Sequence, residues 1–481
     1  MTRVLQNLLP VLAVCIALFA ATYHLAESPA IWYDEGFFEQ LAINVSHGGA
    51  QVMELSPGHY LSSWSISAGY PLIYPMAVSF ATLGVSVFSA RIVPATYLVL
   101  FVLASYFFVR RQYGELPAGV VALLMATFPL LYGNGKSVLG EVPALFWFML
   151  GLIALYALEK SSYKDVRASL FAGLFLGLSF AAKFTFMLIV PAVVVVLLLR
   201  FRTLRRELTP KAFWAGVVGF TLPVLLWLYL QFAPGDSLQT TLAFFVNPYG
   251  YGEQALGAGI VTNLLRFFKE ATPAYFLFLF APWLVALCLR RKTLPLSELF
   301  AFIFSILVIL AYLRTPGWYR YFFPAMMLAF VFFPMASIYV RDRILTYIPK
   351  LNPLRSVLFM GLAVLVLLQG YQLAHSSYVA SYYKSTRTHD LTAYFGALSP
   401  TTTVFLYNVP EIAIFLPSTT YYQFVMPHDD QPFGKEALPL LAQGTPGVVV
   451  VNAETYQRDS TPFTKYKVKD HVSHYVVLTQ L

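Results

Sequence analysis

The sequence predicts an all-α polytopic membrane protein with a small C-terminal α/β domain. Three observations carry that prediction. Hydrophobic residues make up 58% of the 481 and charged residues only 11%, where a soluble chain holds about 45–50% and about 25%. Apolar runs of the length a bilayer requires, about 17–25 residues, recur as far as residue 370. Beyond residue 372 the apolar runs become short, and turn signals separate them. A soluble chain this poor in charge would expose large apolar patches and aggregate. The composition also excludes a disordered chain. Cys15 and Cys288 lie far apart in apolar runs, which excludes a disulfide scaffold, and no His/Cys cluster suggests structural zinc.

The runs fall near 5–23, 91–109, 117–133, 141–158, 168–182, 184–200, 211–232, 271–289, 298–313, 321–340 and 354–370, about eleven spans in all. The first has the outline of a signal peptide, with Arg3 ahead of it, but is read as a retained span because the chain continues as a multispanning protein. The stretch 71–85 is short and holds Pro71 and Pro75, so it is read as a juxtamembrane or re-entrant helix that only dips into the outer leaflet.

Basic residues decide the orientation. With the N-terminus cytoplasmic, Arg110-Arg111, Lys160/Lys164/Arg167, Arg200/Arg202/Arg205/Arg206/Lys211, Arg290-Arg291-Lys292, Arg341/Arg343/Lys350 and Arg355 all fall inside. The excess of 32 basic over 23 acidic residues, a net charge of +9, is therefore a topology signal and implies no nucleic-acid partner. The expected organisation is a membrane domain over 1–371, with a first outer loop at 24–90, and an extracytoplasmic α/β domain over 372–481. Short β-rich runs mark that domain at VFLY (404–407), YYQFV (421–425), GVVVV (447–451) and HYVVL (474–478), with helical patterns at 391–398 and 435–443. The protein is placed in the inner or plasma membrane.

Charge that survives in the apolar outer loops marks the candidate site. Asp34 and Glu35 follow the first span, flanked by Trp32, Tyr33, Phe37 and Phe38. Two carboxylates in an aromatic setting are costly unless used or solvated, although acids also suit a helix's first turn. Glu141 precedes Pro143 at a second helix start. Lys183 sits in LSFAAKFTFML (178–188) without polar neighbours, where a lysine in hydrocarbon costs roughly 2.5–3.5 kcal/mol. Arg314 and Arg320 bracket Pro316-Gly317-Trp318 in the last outer loop, and Arg91 opens another span. Acids in the first two outer loops and cations in later ones suit a general base opposite a phosphate-bearing leaving group. Neither a filter sequence nor inverted repeats are visible. A lipid-linked glycan transporter or flippase, and a non-catalytic scaffold, remain the alternatives.

Six segments in order carry a resemblance: YDEGFFEQLA (33–42), GYPLIYP (69–75), FSARIVPA (88–95), KSVLGEVPALFWF (136–148), GLSFAAKFTFML (177–188) and WYRYFFPAMML (318–328). Over about 1–370 the chain resembles the GT-C superfamily of polyprenyl-phosphate-sugar-dependent glycosyltransferases, especially bacterial relatives of protein O-mannosyltransferases and lipid A aminoarabinose transferases. The resemblance implies a membrane glycosyltransferase, with a sugar on a polyprenyl phosphate as donor and a lipid, glycan or protein as acceptor. It implies Asp34 as catalytic base with Glu35 beside it, Glu141 as a site-shaping or metal residue, and Lys183, Arg320 and Arg91 at the donor phosphate. No certain cofactor follows, and a divalent cation is the one candidate. The stretch SAGYPLIYP (67–75) departs from the aminoarabinose transferases, which carry an acid and a doubled proline there; Glu54 and His59 are the groups in the same loop that could substitute.

Overall fold

A computed structural model describes residues 2–63, 67–232, 237, 239, 242, 256–290, 294–348, 354–417, 421–428 and 431–481. In chain order the helices are α1 (Thr2–Thr22), α2 (Tyr33–Ser46), α3 (Tyr70–Leu83), α4 (Val87–Tyr113), α5 (Glu115–Ala126), α6 (Pro129–Gly135), α7 (Glu141–Lys160), α8 (Val166–Ala182), α9 (Ile189–Leu199), α10 (Phe201–Glu207), α11 (Pro210–Gln231), α12 (Leu256–Lys269), α13 (Ala271–Leu289), α14 (Leu296–Tyr312), α15 (Phe323–Tyr347) and α16 (Leu354–Tyr371). Each of the expected spans contains helix. By length and composition, six of the described helices can cross a membrane, or up to eight when two bent pairs count as single spans. The other three expected spans fall on shorter apolar helices, Gln6–Thr22 of α1 and the 17-residue α8 and α14, at the lower end of the lengths that cross a bilayer. The protein is an integral membrane protein. The stretch around 71–85 forms the 14-residue α3, too short to span.

Helix α15 runs through the centre of the bundle and is largely buried, whereas α11 is mostly exposed on the outside. Small residues bring α8 and α11 together: a Cβ on Gly173 would lie 2.1 Å from the Gly216 carbonyl oxygen, and one on Gly219 2.3 Å from that of Leu170. Without a hydrophobic drive inside lipid, such close backbone approach supplies the packing. At the end of the bundle remote from Asp34, Arg290 pairs with buried Glu298, which also accepts a hydrogen bond from the Tyr113 hydroxyl at 2.6 Å.

Between α2 and α3, β1 (Val52–Ser56) and β2 (His59–Ser62) form a hairpin. The C-terminal region contains α17 (Arg387–Gly396), β3 (Val404–Tyr407), β4 (Tyr421–His428), β5 (Gln431–Phe433), α18 (Leu438–Gln443), β6 (Val448–Asn452), α19 (Ala453–Arg458), β7 (Tyr466–Val472) and β8 (Tyr475–Gln480). The sheet order is β5-β4-β3-β6-β8-β7. Strand β3 is parallel to both β4 and β6, and the remaining pairs are antiparallel. Both central strands are covered on both faces, which is why they read as unbroken apolar runs. Alternate side chains separate the faces. Phe405, Val449 and Val451 pack on one side under α18. Val404, Leu406, Val448 and Val450 join one continuous core with Phe37, Phe38 and Leu41 of α2 and Leu72 of α3. The sheet is thus docked on the helix that carries the first-loop acids.

Candidate active site

Helix α2 begins at Tyr33, so Asp34 and Glu35 fall in its first turn and diverge by about 100°. Glu35 points inward. Its Oε1 accepts hydrogen bonds from the Trp32 N–H at 3.0 Å and from Arg91 Nη2 at 2.7 Å. Its Oε2 accepts from Arg91 Nε at 3.0 Å and from the Val138 N–H at 2.9 Å. Four donors meet a carboxylate with about four lone-pair directions, so Glu35 has none left over. Arg91 is equally occupied. Its Nη1 donates to the carbonyls of Leu25, Ala26 and Pro29, the last at 2.7 Å. The structure gives these two residues to each other, and both are fully buried.

Asp34 points to the other side, where it pairs with Arg320 and keeps 28% of its side-chain surface exposed. Arg320 lies in the 3₁₀ turn Tyr319–Tyr321, just ahead of α15. Its guanidinium sits over the rings of Trp318 at 4.8 Å, Tyr321 at 5.2 Å and Trp32 at 5.7 Å. The carboxylate of Asp34 raises the proton affinity of Arg320, so that side chain stays charged. Asn263 of α12 holds the preceding loop by donating to the Thr315 carbonyl at 2.7 Å.

Lys183 interrupts what would be one long helix. It is extended, at φ −149° and ψ 127°, and bridges Ala68 in the manner of a strand. The Phe184 N–H donates to Ser67 O at 3.0 Å, and the Gly69 N–H to Ala182 O at 3.3 Å. The segment just ahead of α3 therefore clamps the lysine. Its Nζ lies 3.2 Å from Oε1 of Glu141, the first residue of α7, and both side chains are buried. Burial and nearby Arg320 ease proton loss from Lys183, while Glu141 and Asp34 oppose it. Asp34, Arg320, Lys183 and Glu141 thus form one electrostatic cluster: two acids and two cations, open at Asp34 and closed at Lys183.

Three buried charges here had no role in the sequence reading. Glu39, on the inner face of α2, has neither carboxylate oxygen hydrogen-bonded among the described residues, and burial raises its proton affinity well above that of an ordinary glutamic acid. Glu411, in the 3₁₀ turn Pro410–Phe415, accepts from the Tyr475 hydroxyl at 2.7 Å, and burial pushes it up to about 6. Lys136 donates to Tyr23 O at 2.6 Å, and burial pushes it down to about 7. The signal available was an acid inside an apolar run, FFEQLA for Glu39 and VPEIAIF for Glu411. Glu54 and His59 lie on the β1–β2 hairpin instead of in the cluster. Among the described residues no group of three or more His, Cys, Asp or Glu side chains is placed to hold a metal.

Residues 71–228 match the family model described as dolichyl-phosphate-mannose-protein mannosyltransferase. No curated protein matches the chain. Among solved structures, the fold is similar to ArnT from Cupriavidus metallidurans bound to undecaprenyl phosphate: TM-score 0.67, 15% identity, 98% of each chain covered. It is also similar to the Archaeoglobus fulgidus oligosaccharyltransferase in complex with zinc and sulfate: TM-score 0.60, 16% identity, 93% of this chain and 68% of that one. A third similar structure is the archaeal oligosaccharyltransferase AglB from Archaeoglobus fulgidus with an inhibitory peptide and a dolichol-phosphate: TM-score 0.56, 14% identity, 94% of this chain and 69% of that one. The chain has the fold of these proteins across its length, and over 71–228 its sequence is similar to that family.

Proposed function

We propose that the protein is a membrane glycosyltransferase that moves a sugar from a polyprenyl-phosphate donor to an extracytoplasmic acceptor, a lipid, glycan or protein, with inversion at the anomeric carbon. The membrane domain over 1–371 carries the chemistry, with its N-terminus in the cytoplasm and the 372–481 domain outside the inner or plasma membrane. The observation that carries this reading is the half-open Asp34–Arg320 pair beside the buried Lys183–Glu141 pair. An ArnT structure with the same fold binds undecaprenyl phosphate, which supports a phosphate-bearing lipid as the ligand of such a cluster.

In this mechanism the donor phosphodiester competes with Asp34 for Arg320, whose planar fork suits phosphate. That exchange frees the Asp34 carboxylate. Asp34 then takes the proton of the acceptor hydroxyl, the hydroxyl oxygen attacks the anomeric carbon, and the sugar–phosphate bond breaks with its electron pair leaving on the phosphate. The polyprenyl phosphate gains one negative charge, which Arg320 and Lys183 neutralise in a site where fixed charges act strongly. Glu141 positions Lys183 and maintains its charge. Glu35 and Arg91, saturated by each other, position α2 so that Asp34 faces the cluster.

The test supplies a polyprenyl-phosphate sugar and an acceptor extract to the purified protein and to Asp34→Asn. Transfer is expected to fall by about 100-fold or more, the contribution of a positioned general base. Undiminished transfer by the variant removes Asp34 from that role. Lipid movement that is equal in both, without bond formation, would instead identify a transporter.

A further inference from the structure

The strongest unassigned feature lies at the opposite end of the bundle from Asp34. A cavity of about 330 Å³ opens between α7, α8, α9, α11 and α14, and its walls are almost wholly apolar, among them Leu176, Ile189, Val193, Leu204, Leu208 and Phe300. It takes in Ser169–Leu176 of α8 and Phe213–Thr221 of α11, the halves remote from Lys183. Apolar cavities stay dry and take apolar guests.

Its rim is strongly basic. Helix α10 leaves α9 at an 85° bend and turns only Leu204 fully into the protein, while Arg202, Arg205 and Arg206 are exposed. Such a short amphipathic element lies along a membrane surface rather than across it. Lys211 follows at the start of α11, and Arg200 precedes, donating to the Leu294 carbonyl. Tyr163, which lines the cavity, lies within electrostatic reach of Arg200, Glu159 and Glu207. The acids here are mostly engaged: Asp165 caps α8 by accepting from Arg167 N at 2.9 Å and Ala168 N at 3.1 Å, and Glu159 accepts from Leu296 N at 2.9 Å. Glu207 is the one exposed acid within α10, against three exposed arginines in the same helix.

We propose that this is a binding site for an anionic phospholipid of the leaflet opposite Asp34: one acyl chain fills the cavity, and the headgroup phosphate lies against Arg205 and Arg206. The site is separate from the chemistry: α11 reaches the candidate active site only at its far end, where Trp227 stacks on Phe184, the residue after Lys183. Basic residues at a membrane surface favour anionic over zwitterionic lipid, and an apolar cavity alone does not.

Native mass spectrometry of the full chain tests this, with equal amounts of dioleoyl phosphatidylglycerol and dioleoyl phosphatidylcholine. The wild type should retain phosphatidylglycerol with about a tenfold preference or more. The exposed double variant R205Q/R206Q, which gives up only the surface contact of Arg205 with the Phe201 ring, should bring the ratio to about one. V193F, which narrows the cavity and keeps the rim, should lower total retained lipid several-fold. A wild-type ratio of about one overturns the proposal, as does a preference that survives R205Q/R206Q. Displacement of the bound phospholipid by added polyprenyl phosphate also overturns it, by making the cavity a prenyl-tail channel. None of these outcomes depends on whether the protein transfers sugar.

Discussion

Glu35 receives hydrogen bonds from Trp32, Val138 and twice from Arg91, whereas Asp34 keeps an exposed edge and a single cationic partner. Removing Glu35 would leave the buried Arg91 guanidinium without the carboxylate it is hydrogen-bonded to, and breaking such a pair costs about 3–5 kcal/mol. Glu35→Ala is therefore expected to lower the apparent unfolding midpoint and the yield of folded protein. Asp34→Asn should leave both near wild type while transfer is lost; thermal unfolding of the two purified variants separates the roles. Lys183→Ala should cut transfer by about 10²–10³-fold, the worth of one preorganised charge donor, as read from initial rates at limiting donor. Lys183→Arg should recover part of that loss. The sequence singled out the pair Asp34 and Glu35 but could not divide their work. The partner that decides it, Arg91, lies 56 residues away in the chain. Lys183 was legible because nothing polar surrounds it in sequence; its pairing with Glu141 required the fold.

Helix α2 carries Asp34, the proposed base, on one edge and the docking surface for the C-terminal sheet on another. A Cβ at Gly36 would lie 2.3 Å from the Glu411 backbone nitrogen and 2.4 Å from the Pro410 carbonyl carbon, and these are backbone atoms that cannot step aside. Gly36→Ala should therefore push the turn Pro410–Phe415 off α2, at a cost of about 1–3 kcal/mol typical of overpacking. Increased proteolysis of the sheet and reduced transfer would register it. The same contact is pH-dependent through Glu411, which burial holds at about 6 against an ordinary 4.5. The folded state then binds more protons than the unfolded state between those values, so stability is greatest below about 4.5, declines as pH rises to about 6 and is flat above. A shift of this size corresponds to about 2 kcal/mol, and an unfolding midpoint followed from pH 4.5 to 7 should lose that decline in Glu411→Gln. The apolar strands β3, β4, β6 and β8 were all readable as runs. Strand β7 was not, because its exposed side chains Lys467–His471 carry no apolar pattern at this sheet edge, where charge protects against pairing with another chain. The β1–β2 hairpin had a turn signal in Pro57-Gly58, with Gly58 at φ +78°, that went unused inside a long outer loop.

Across the whole molecule, the C-terminal region is tied to the membrane bundle by polar as well as apolar contacts. Glu27, just after α1, accepts from the Thr388 and His389 N–H groups, each at 2.9 Å, and so caps α17 from another part of the chain. Gln40 of α2 donates to the Pro410 carbonyl at 2.9 Å and accepts from Gln423 at 2.7 Å and from the Tyr421 hydroxyl at 3.1 Å. The Tyr33 hydroxyl, beside Asp34, donates to Asn408 Oδ1 at 2.7 Å. None of these pairs could be read from sequence, since their members lie more than 350 residues apart. They make the sheet a brace for Tyr33, the residue next to Asp34. Truncation after Lys384 is informative because Val379 and Tyr383, which pack against the bundle, stay in place. The shortened protein should insert and keep its helical bundle by circular dichroism. However, it would expose Phe37, Phe38 and Leu41 and leave Gln40 without partners, so the orientation of α2 would rest on its remaining contacts, among them Arg91, Val138, Arg320 and α3. Transfer should then fall by at least about tenfold, since an ångström-scale misplacement of a reacting group costs up to about 100-fold. Full transfer by the truncated chain would show that these remaining contacts suffice to hold α2, and would leave the sheet a role at the acceptor only.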